Sequence, residues 1–356
     1  MNHVLSRALA LLAVAIPVTL GLDAADDFFR GTPGQVRHHH RTLPGLNPPT
    51  WYLSDSYQGE DFLKSFTFEA MPDPTHGRVD YVDMKTAIAH NLTQCTREGG
   101  FIMRTDSTTV LDPNGPGRES IRLQSKKQWT NGLFVLNLNH MPVGCGTWPA
   151  YWMTQHEGWP KNGEIDVLEG VNDQIPNRSA LHTINNCTIE PTRPMTGNVL
   201  STNCSYLNNY NEGCAVGWDR KDSYAQPLNA MGGGWFVTER TDKRISVWFW
   251  GRHDANVPAA VKYGLPLIST KDFCAPVAVW ESSSTCDFPT VFGPQNIIIN
   301  LTLCGDWAGQ DGVFHGAEAC KPWPGTCVDF VNNNPAAFKD AYWDIASLKV
   351  YAKLGK

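Results

Sequence analysis

The chain has 356 residues, of which 42% are hydrophobic and only 18% charged, with 31 Gly, 24 Pro and 13 Trp. That composition excludes a disordered chain, a coiled coil and a long helical repeat, and it favours many short strands joined by tight turns. The formal net charge of −6 offers no basic surface for nucleic acid, so the expected partner is neutral and polar.

The first element is an apolar run over residues 8–22, preceded by Arg7 and closed by Asp23, Asp26 and Asp27. The run is short for a bilayer span and fits the apolar part of a secretory signal. Gly21, Ala24 and Ala25 supply small residues for cleavage. Residues 1–25 are therefore read as a signal peptide, with no membrane anchor. Residues 26–50 carry His38, His39, His40, Pro48 and Pro49 without periodicity, and are read as a flexible lead-in whose histidines form a solvated tail. From Trp51 onward no linker or internal repeat interrupts the chain. Residues 51–356 are read as a single domain.

The texture of that domain is β. Segments 65–69 (SFTFE), 119–124 (ESIRLQ) and 132–137 (GLFVLN) are short strand signals, the second strictly alternating. In segment 244–250 (RISVWFW), Ile245, Val247 and Phe249 fall on one face and Ser246, Trp248 and Trp250 on the other. Segment 296–303 (NIIINLTL) is apolar almost throughout, as a central strand would be, and 346–352 (ASLKVYA) supplies a late strand. Many turn-bounded strands with little helical periodicity predict an all-β fold of two packed antiparallel sheets, a sandwich.

The segment richest in chemistry is Trp159-Pro-Lys-Asn-Gly-Glu-Ile-Asp-Val-Leu-Glu-Gly170. On a strand Glu164 and Asp166 share a face, whereas Glu169, five positions from Glu164, points the other way. One extra residue, a β-bulge near Val167 and Leu168, returns all three acids to one side. The two Glu backbones then stand roughly 13 Å apart, about four steps of strand. Inward-leaning side chains bring their carboxyls to about 5–5.5 Å, the separation a retaining glycosidase needs. Crowded carboxylates push one proton affinity up, which keeps a general acid protonated near neutral pH. An exposed acidic edge or a Ca²⁺ site are the competing readings of the same three residues.

Ten cysteines, at 95, 145, 187, 204, 214, 274, 286, 304, 320 and 327, contain no C-x-x-C pair. Behind a signal peptide their even number reads as disulfides, not as a zinc site. Glycosylation sequons start at Asn91, Asn177, Asn186, Asn203 and Asn300. Asn300 lies inside the apolar 296–303 run and is expected to be buried and unmodified. These features together predict a secreted protein.

The hexad Glu164-Ile-Asp-Val-Leu-Glu169 resembles the E-x-D-x-x-E signature of glycoside hydrolase family 16 in its bulged form. Its flanks, Gly144-Cys-Gly-Thr-Trp-Pro-Ala-Tyr-Trp152, Trp159-Pro-Lys-Asn-Gly163 and Gly170-Val-Asn-Asp173, are similar to those of fungal laminarinase-type endo-1,3(4)-β-glucanases. So are Thr75-His-Gly-Arg-Val-Asp-Tyr-Val82, Leu181-His-Thr183, Asn300-Leu-Thr-Leu-Cys-Gly-Asp-Trp-Ala-Gly309 and Ala341-Tyr-Trp-Asp-Ile345. The blocks span residues 52–352. The resemblance implies a jelly-roll sandwich with a concave substrate cleft, no cofactor and no metal. It implies Glu164 as nucleophile, Asp166 as its hydrogen-bonding assistant and Glu169 as acid/base. It also implies Trp152, Trp159 and Trp307 as platforms for sugar rings, with Arg122 and His182 near the cleaved bond. Asp344 resembles a position that helps hold Ca²⁺ in some members, but no companion ligands accompany it. The expected protein is a monomer acting on β-glucan polysaccharide or oligosaccharide, by hydrolysis of internal β-1,3 or mixed β-1,3/1,4 linkages. A transglycosylase using the same carboxylates, or a non-catalytic glucan-recognition module, are the alternatives.

Overall fold

The computed structural model describes residues 50–353 apart from His156, Asn185 and Asn186. The signal-like run, the lead-in with its three histidines, and the Asn186 sequon lie outside the described residues.

Two antiparallel sheets face each other, as the strand texture demands. One has nine strands. Its main path runs Leu267–Ser269, Thr50–Tyr57, Tyr342–Lys353, Gly132–His140, Gly234–Arg240, Arg244–Gly251 and Ala278–Glu281. Phe101–Arg104 and Thr93–Cys95 extend it beside Tyr342–Lys353. The other sheet has eight strands, in the order Asn198–Val199, Val216–Gly217, Arg178–His182, Glu164–Glu169, Thr147–Thr154, Asn296–Leu303, Arg122–Ser125 and Phe66–Phe68. The helices among the described residues are short, none exceeding the seven residues of Cys327–Asn333, which Thr326 and Asp329 start with a reciprocal capping box. No helix of the described residues is long and apolar enough to cross a membrane.

The period-two pattern sorts each strand between a packed face and an outer one. Ile165, Leu168, Leu181, Met153, Ile297 and Ile299 of the eight-stranded sheet enter a shared core with Phe134, Leu136, Phe236, Val247, Phe249 and Val350 of the other. Removing this apolar surface from water is the main term holding the sheets together. A second cluster gathers Leu301, Leu303, Phe314, Val331 and Phe338 around the Cys145–Cys320 and Cys304–Cys327 disulfides. Cys187–Cys286 and Cys204–Cys214 complete the four bridges. Cys95 and Cys274 remain exposed thiols, so the even cysteine count does not translate into full pairing.

One predicted strand divides. In segment 119–124, Glu119 and Ser120 pair in parallel with Asp80 and Tyr81, whereas Arg122–Gln124 pair with the Asn296–Leu303 strand. Strict alternation fixes which residues share a face, and it cannot reveal a change of partner at Ile121. The late strand also begins earlier than its pattern suggests, at Tyr342, because register shifts at Asp344 and Ile345 interrupt the alternation.

Candidate active site

The three acids stand on Glu164–Glu169, inside the eight-stranded sheet. Against Thr147–Thr154 the register runs Glu164↔Thr154, Ile165↔Met153 and Asp166↔Trp152, then jumps to Leu168↔Tyr151 and Glu169↔Ala150. Val167 is the extra residue. The bulge anticipated from the five-residue spacing is present, and it places Glu164, Asp166 and Glu169 in line with Thr154, Trp152 and Ala150 on the outer face. Ile165, Val167 and Leu168 are fully buried in the shared core.

Each acid has its own partner. The Trp159 indole N–H donates to Glu164 Oε2 at 2.6 Å, and the Trp148 indole N–H donates to Glu169 Oε1 at 2.9 Å. Asp166 is 2% exposed, and its Oδ2 lies 3.1 Å from His182 Nε2. The same nitrogen is 4.0 Å from Glu164 Oε1. Burial, and then the charge of Asp166, push the Glu164 carboxyl from its ordinary 4.5 up to about 8; His182 and the Trp159 N–H pull the other way. Burial, and then Glu169, hold Asp166 well above the usual carboxylate range against the pull of Arg178. Glu164 and Asp166, neighbours on one face, do not both ionise readily at neutral pH.

Aromatic and basic side chains surround this row. Trp152 is half-buried, donates its indole N–H to Asn300 Oδ1 at 2.8 Å and carries the Arg122 guanidinium 5.0 Å over its ring. Arg122 is itself buried and donates from Nε to Glu69 Oε2 at 2.7 Å, so it meets the site through Trp152. Trp307 stands edge-on to Trp148 at 5.6 Å, with Arg178 at 5.5 Å from its ring. Trp159 is exposed and edge-on to Tyr206 at 5.5 Å. His182 Nδ1 is 2.9 Å from Asn211 Oδ1. The residues predicted from sequence thus fall into two groups: Glu164, with Trp159 on one oxygen and His182 near the other, His182 also meeting Asp166, and Glu169 with Trp307 linked through Trp148. Trp152 joins from the adjacent strand, and Arg122 from the strand two further along the sheet.

Donor atoms of Glu164, Asp166 and His182 lie within 4.8 Å of one another, a spacing a cation could use. Ca²⁺ takes six to eight oxygen ligands, which two carboxyls and an imidazole do not supply. Asp344 accepts from Asn139 Nδ2 at 3.3 Å and belongs to the other sheet.

Several contributors escaped the sequence reading. Trp148 shares parity with Trp152 on one strand, a signal that was available. Asn211 and Tyr206 come from the 205–213 loop, whose Asn209, Tyr210 and Asn211 all have positive φ and follow no periodicity. The loop is closed at its base by Cys204–Cys214. Asn300 is 6% exposed, as its apolar context predicted, and its side chain serves Trp152 and Tyr81.

Comparison with known proteins sharpens the picture. Residues 66–351 match the family model of the XgeA-like catalytic domain of glycoside hydrolase family 16. A probable endo-1,3(4)-β-glucanase of Neosartorya fischeri is 42% identical over 316 residues, covering 87% of this chain and 46% of that protein. The chain spans about half the length of this and the Aspergillus relatives it matches. Laminarinase 16A of Phanerochaete chrysosporium, solved with 6-O-glucosyl-laminaritriose in both donor and acceptor sites, superposes with a TM-score of 0.82 at 49% identity, over 85% of this chain and 100% of that one. An elongating family 16 β-1,3-glucosyltransferase gives a TM-score of 0.75 at 35% identity, over 85% and 100%. The two-sheet architecture is the jelly roll of these laminarinases.

Proposed function

This chain belongs to glycoside hydrolase family 16, and from that premise we propose that it is a secreted, retaining endo-glycosidase acting on internal linkages of β-1,3- and mixed β-1,3/1,4-glucans. The observation that carries the reading is the bulge at Val167, which sets two glutamates and an aspartate on one face, with an indole N–H on each glutamate.

The roles of the three acids are those the family resemblance implies, and their surroundings are consistent with a row in which not every acid is ionised. Asp166, held above the carboxylate range by burial, keeps its proton and thereby removes the charge that burdens Glu164. The ionised form of Glu164, whose Oε2 takes the Trp159 N–H, attacks the anomeric carbon. Glu169 gives its proton to the departing glycosidic oxygen, so the bond to the leaving sugar breaks as the bond to Glu164 forms. Water enters, Glu169 takes its proton, and the oxygen displaces Glu164 from the opposite side. Two inversions give net retention. Trp152, Trp159 and Trp307 offer rigid apolar planes to the C–H faces of sugar rings.

A transglycosylase is the second reading, favoured by the likeness to the elongating glucosyltransferase. Its carboxylate chemistry is the same, with a sugar hydroxyl replacing water in the second step. The non-catalytic module draws no support from a chain that keeps both glutamates. Export is supported by the apolar run at residues 8–22 and by four disulfides, which persist in oxidising compartments. On this reading residues 1–25 are removed and 51–356 act as one catalytic domain and as a monomer.

The test is product analysis on laminarin and on cereal β-glucan, with and without acceptor oligosaccharides. Shorter glucans in both incubations are expected. Products longer than the substrate, formed only with acceptor, would make the transglycosylase reading the right one, and an unchanged glucan would sink both.

A further inference from the structure

A bulge leaves main-chain groups without ladder partners, and here a single side chain takes up two of them. Between the pairs Asp166↔Ala180 and Glu169↔Arg178, Val167 and Leu168 stand opposite Ser179 alone. Asn177, fully buried, donates from Nδ2 to the Val167 carbonyl at 2.9 Å and accepts from the Glu169 N–H on Oδ1 at 3.0 Å. Ser179 Oγ donates to the same carbonyl at 2.7 Å. The clip is itself anchored. The Asn177 N–H donates to Ser223 Oγ at 3.1 Å, its carbonyl accepts from the Trp218 N–H at 3.0 Å, and the Trp218 indole donates to Ser179 Oγ at 3.1 Å.

We propose that Asn177 is a positioning residue for Glu169, locking the bulge that turns the acid/base onto the same face as Glu164. The assignment rests on the roles given to the two glutamates above. An amide is the group this place requires, because one atom must donate and the other accept, with no charge. Alanine leaves a buried carbonyl short of a partner and a buried N–H with none. Ionised aspartate accepts at both oxygens, turns one against the Val167 carbonyl and sets a charge beside the Glu169 main chain. Protonated aspartate restores both bonds. Asn177 and Ser179 are also the two residues that define the Asn177-Arg-Ser179 sequon, and both side chains are consumed by the clip. A glycan on Asn177 is incompatible with the folded site.

The test uses the full chain with Asn177→Ala and Asn177→Asp, assayed on laminarin and on an aryl β-glucoside with a good leaving group, alongside Glu169→Ala. Asn177→Ala should lose roughly 10²-fold in kcat on laminarin with little change in KM, the scale of a small misplacement of a catalytic group. Its kcat/KM on the activated glycoside, which needs no proton for departure, should fall far less, as for Glu169→Ala. Asn177→Asp should regain activity relative to the parent as pH drops through the range of an aspartic acid, about 4. Amide hydrogen exchange at Glu169 should accelerate in Asn177→Ala, a readout that stands even if the parent turns over neither substrate and the glucanase reading fails. Unchanged protection at Glu169, equal losses on both substrates, or no acid recovery in Asn177→Asp would each overturn the positioning role.

Discussion

Along Thr147–Thr154, Trp148 and Trp152 alternate onto the outer face of one sheet, and along Arg244–Gly251, Trp248 and Trp250 do the same on the other. The first pair is half-buried and donates to side chains, Glu169 and Asn300. The second pair is 2% and 1% exposed, packed with Trp235, Val237 and Ile268 beneath Val257, Ala260 and Phe273. Phe273 meets both rings edge-on, and the Trp248 N–H goes to the Cys274 carbonyl. Residue type and period are the same in the two rows. What differs is what lies over them: the 257–273 segment makes one row a third apolar layer, while the other keeps an open face bordered by acids.

The largest effect separating the rows should come from the acids. Glu169→Ala should lower kcat on laminarin by about 10²–10⁴-fold, the range general acid–base groups contribute, with Glu164→Gln at least as damaging. Steady-state kinetics on folded variants checks this, and full activity in either would move the chemistry elsewhere. Next comes a crossed pair of truncations. Trp248→Ala should cost about 3–5 kcal/mol of folding stability and leave the affinity of the folded fraction unchanged. Trp159→Ala should weaken glucan binding by roughly 1–3 kcal/mol with little change in Tm, having lost an exposed ring. Calorimetry paired with titration of a glucan oligosaccharide reads both, and the reverse pattern would dissolve the distinction between the two faces.

A smaller effect concerns pH. In the folded protein burial and the charge of Asp166 raise the Glu164 carboxyl from an ordinary 4.5 to about 8, so the ionised nucleophile is the form that gains population as pH rises toward 8. Proton binding by the folded state therefore stabilises fully below about 4.5 and is lost as pH rises through 8. Glu164→Gln removes that loss, so its Tm advantage over the parent should widen from pH 5 to pH 8. A constant difference in thermal scans across that range would mean that Glu164 is ionised throughout. The smallest is a count: denatured, unreduced protein should titrate two thiols, Cys95 and Cys274, and eight or more would remove the oxidised-compartment reading.

How far the sequence reaches differs between the two faces too. The acids and their bulge were legible because a five-residue spacing cannot put Glu164 and Glu169 on one face of a regular strand. The two faces of Arg244–Gly251 were legible from alternation, but not the cover over Trp248 and Trp250, since the 257–273 segment meets them only in three dimensions. Asn177 was concealed by its own motif, a sequon that suggests a surface position while the side chain closes a buried bulge. Tyr206 and Asn211 reach the site from irregular backbone, where no periodic signal exists. Pairings such as Cys145–Cys320, separated by 175 residues, depend on how the sheets stack and not on spacing.

The central claim, that Glu164 attacks and Glu169 shuttles the proton, is tested most directly by azide rescue of the two variants. Glu169→Ala keeps a nucleophile that still attacks a substrate with a good leaving group, and the stalled glycosyl-enzyme then lacks its base. Azide entering the vacated space displaces Glu164, and two inversions give a β-glycosyl azide, identifiable by NMR. The account predicts that product from Glu169→Ala. An α-azide from the Glu164 variant, with no β-azide from Glu169→Ala, would show that the two glutamates have been assigned backwards.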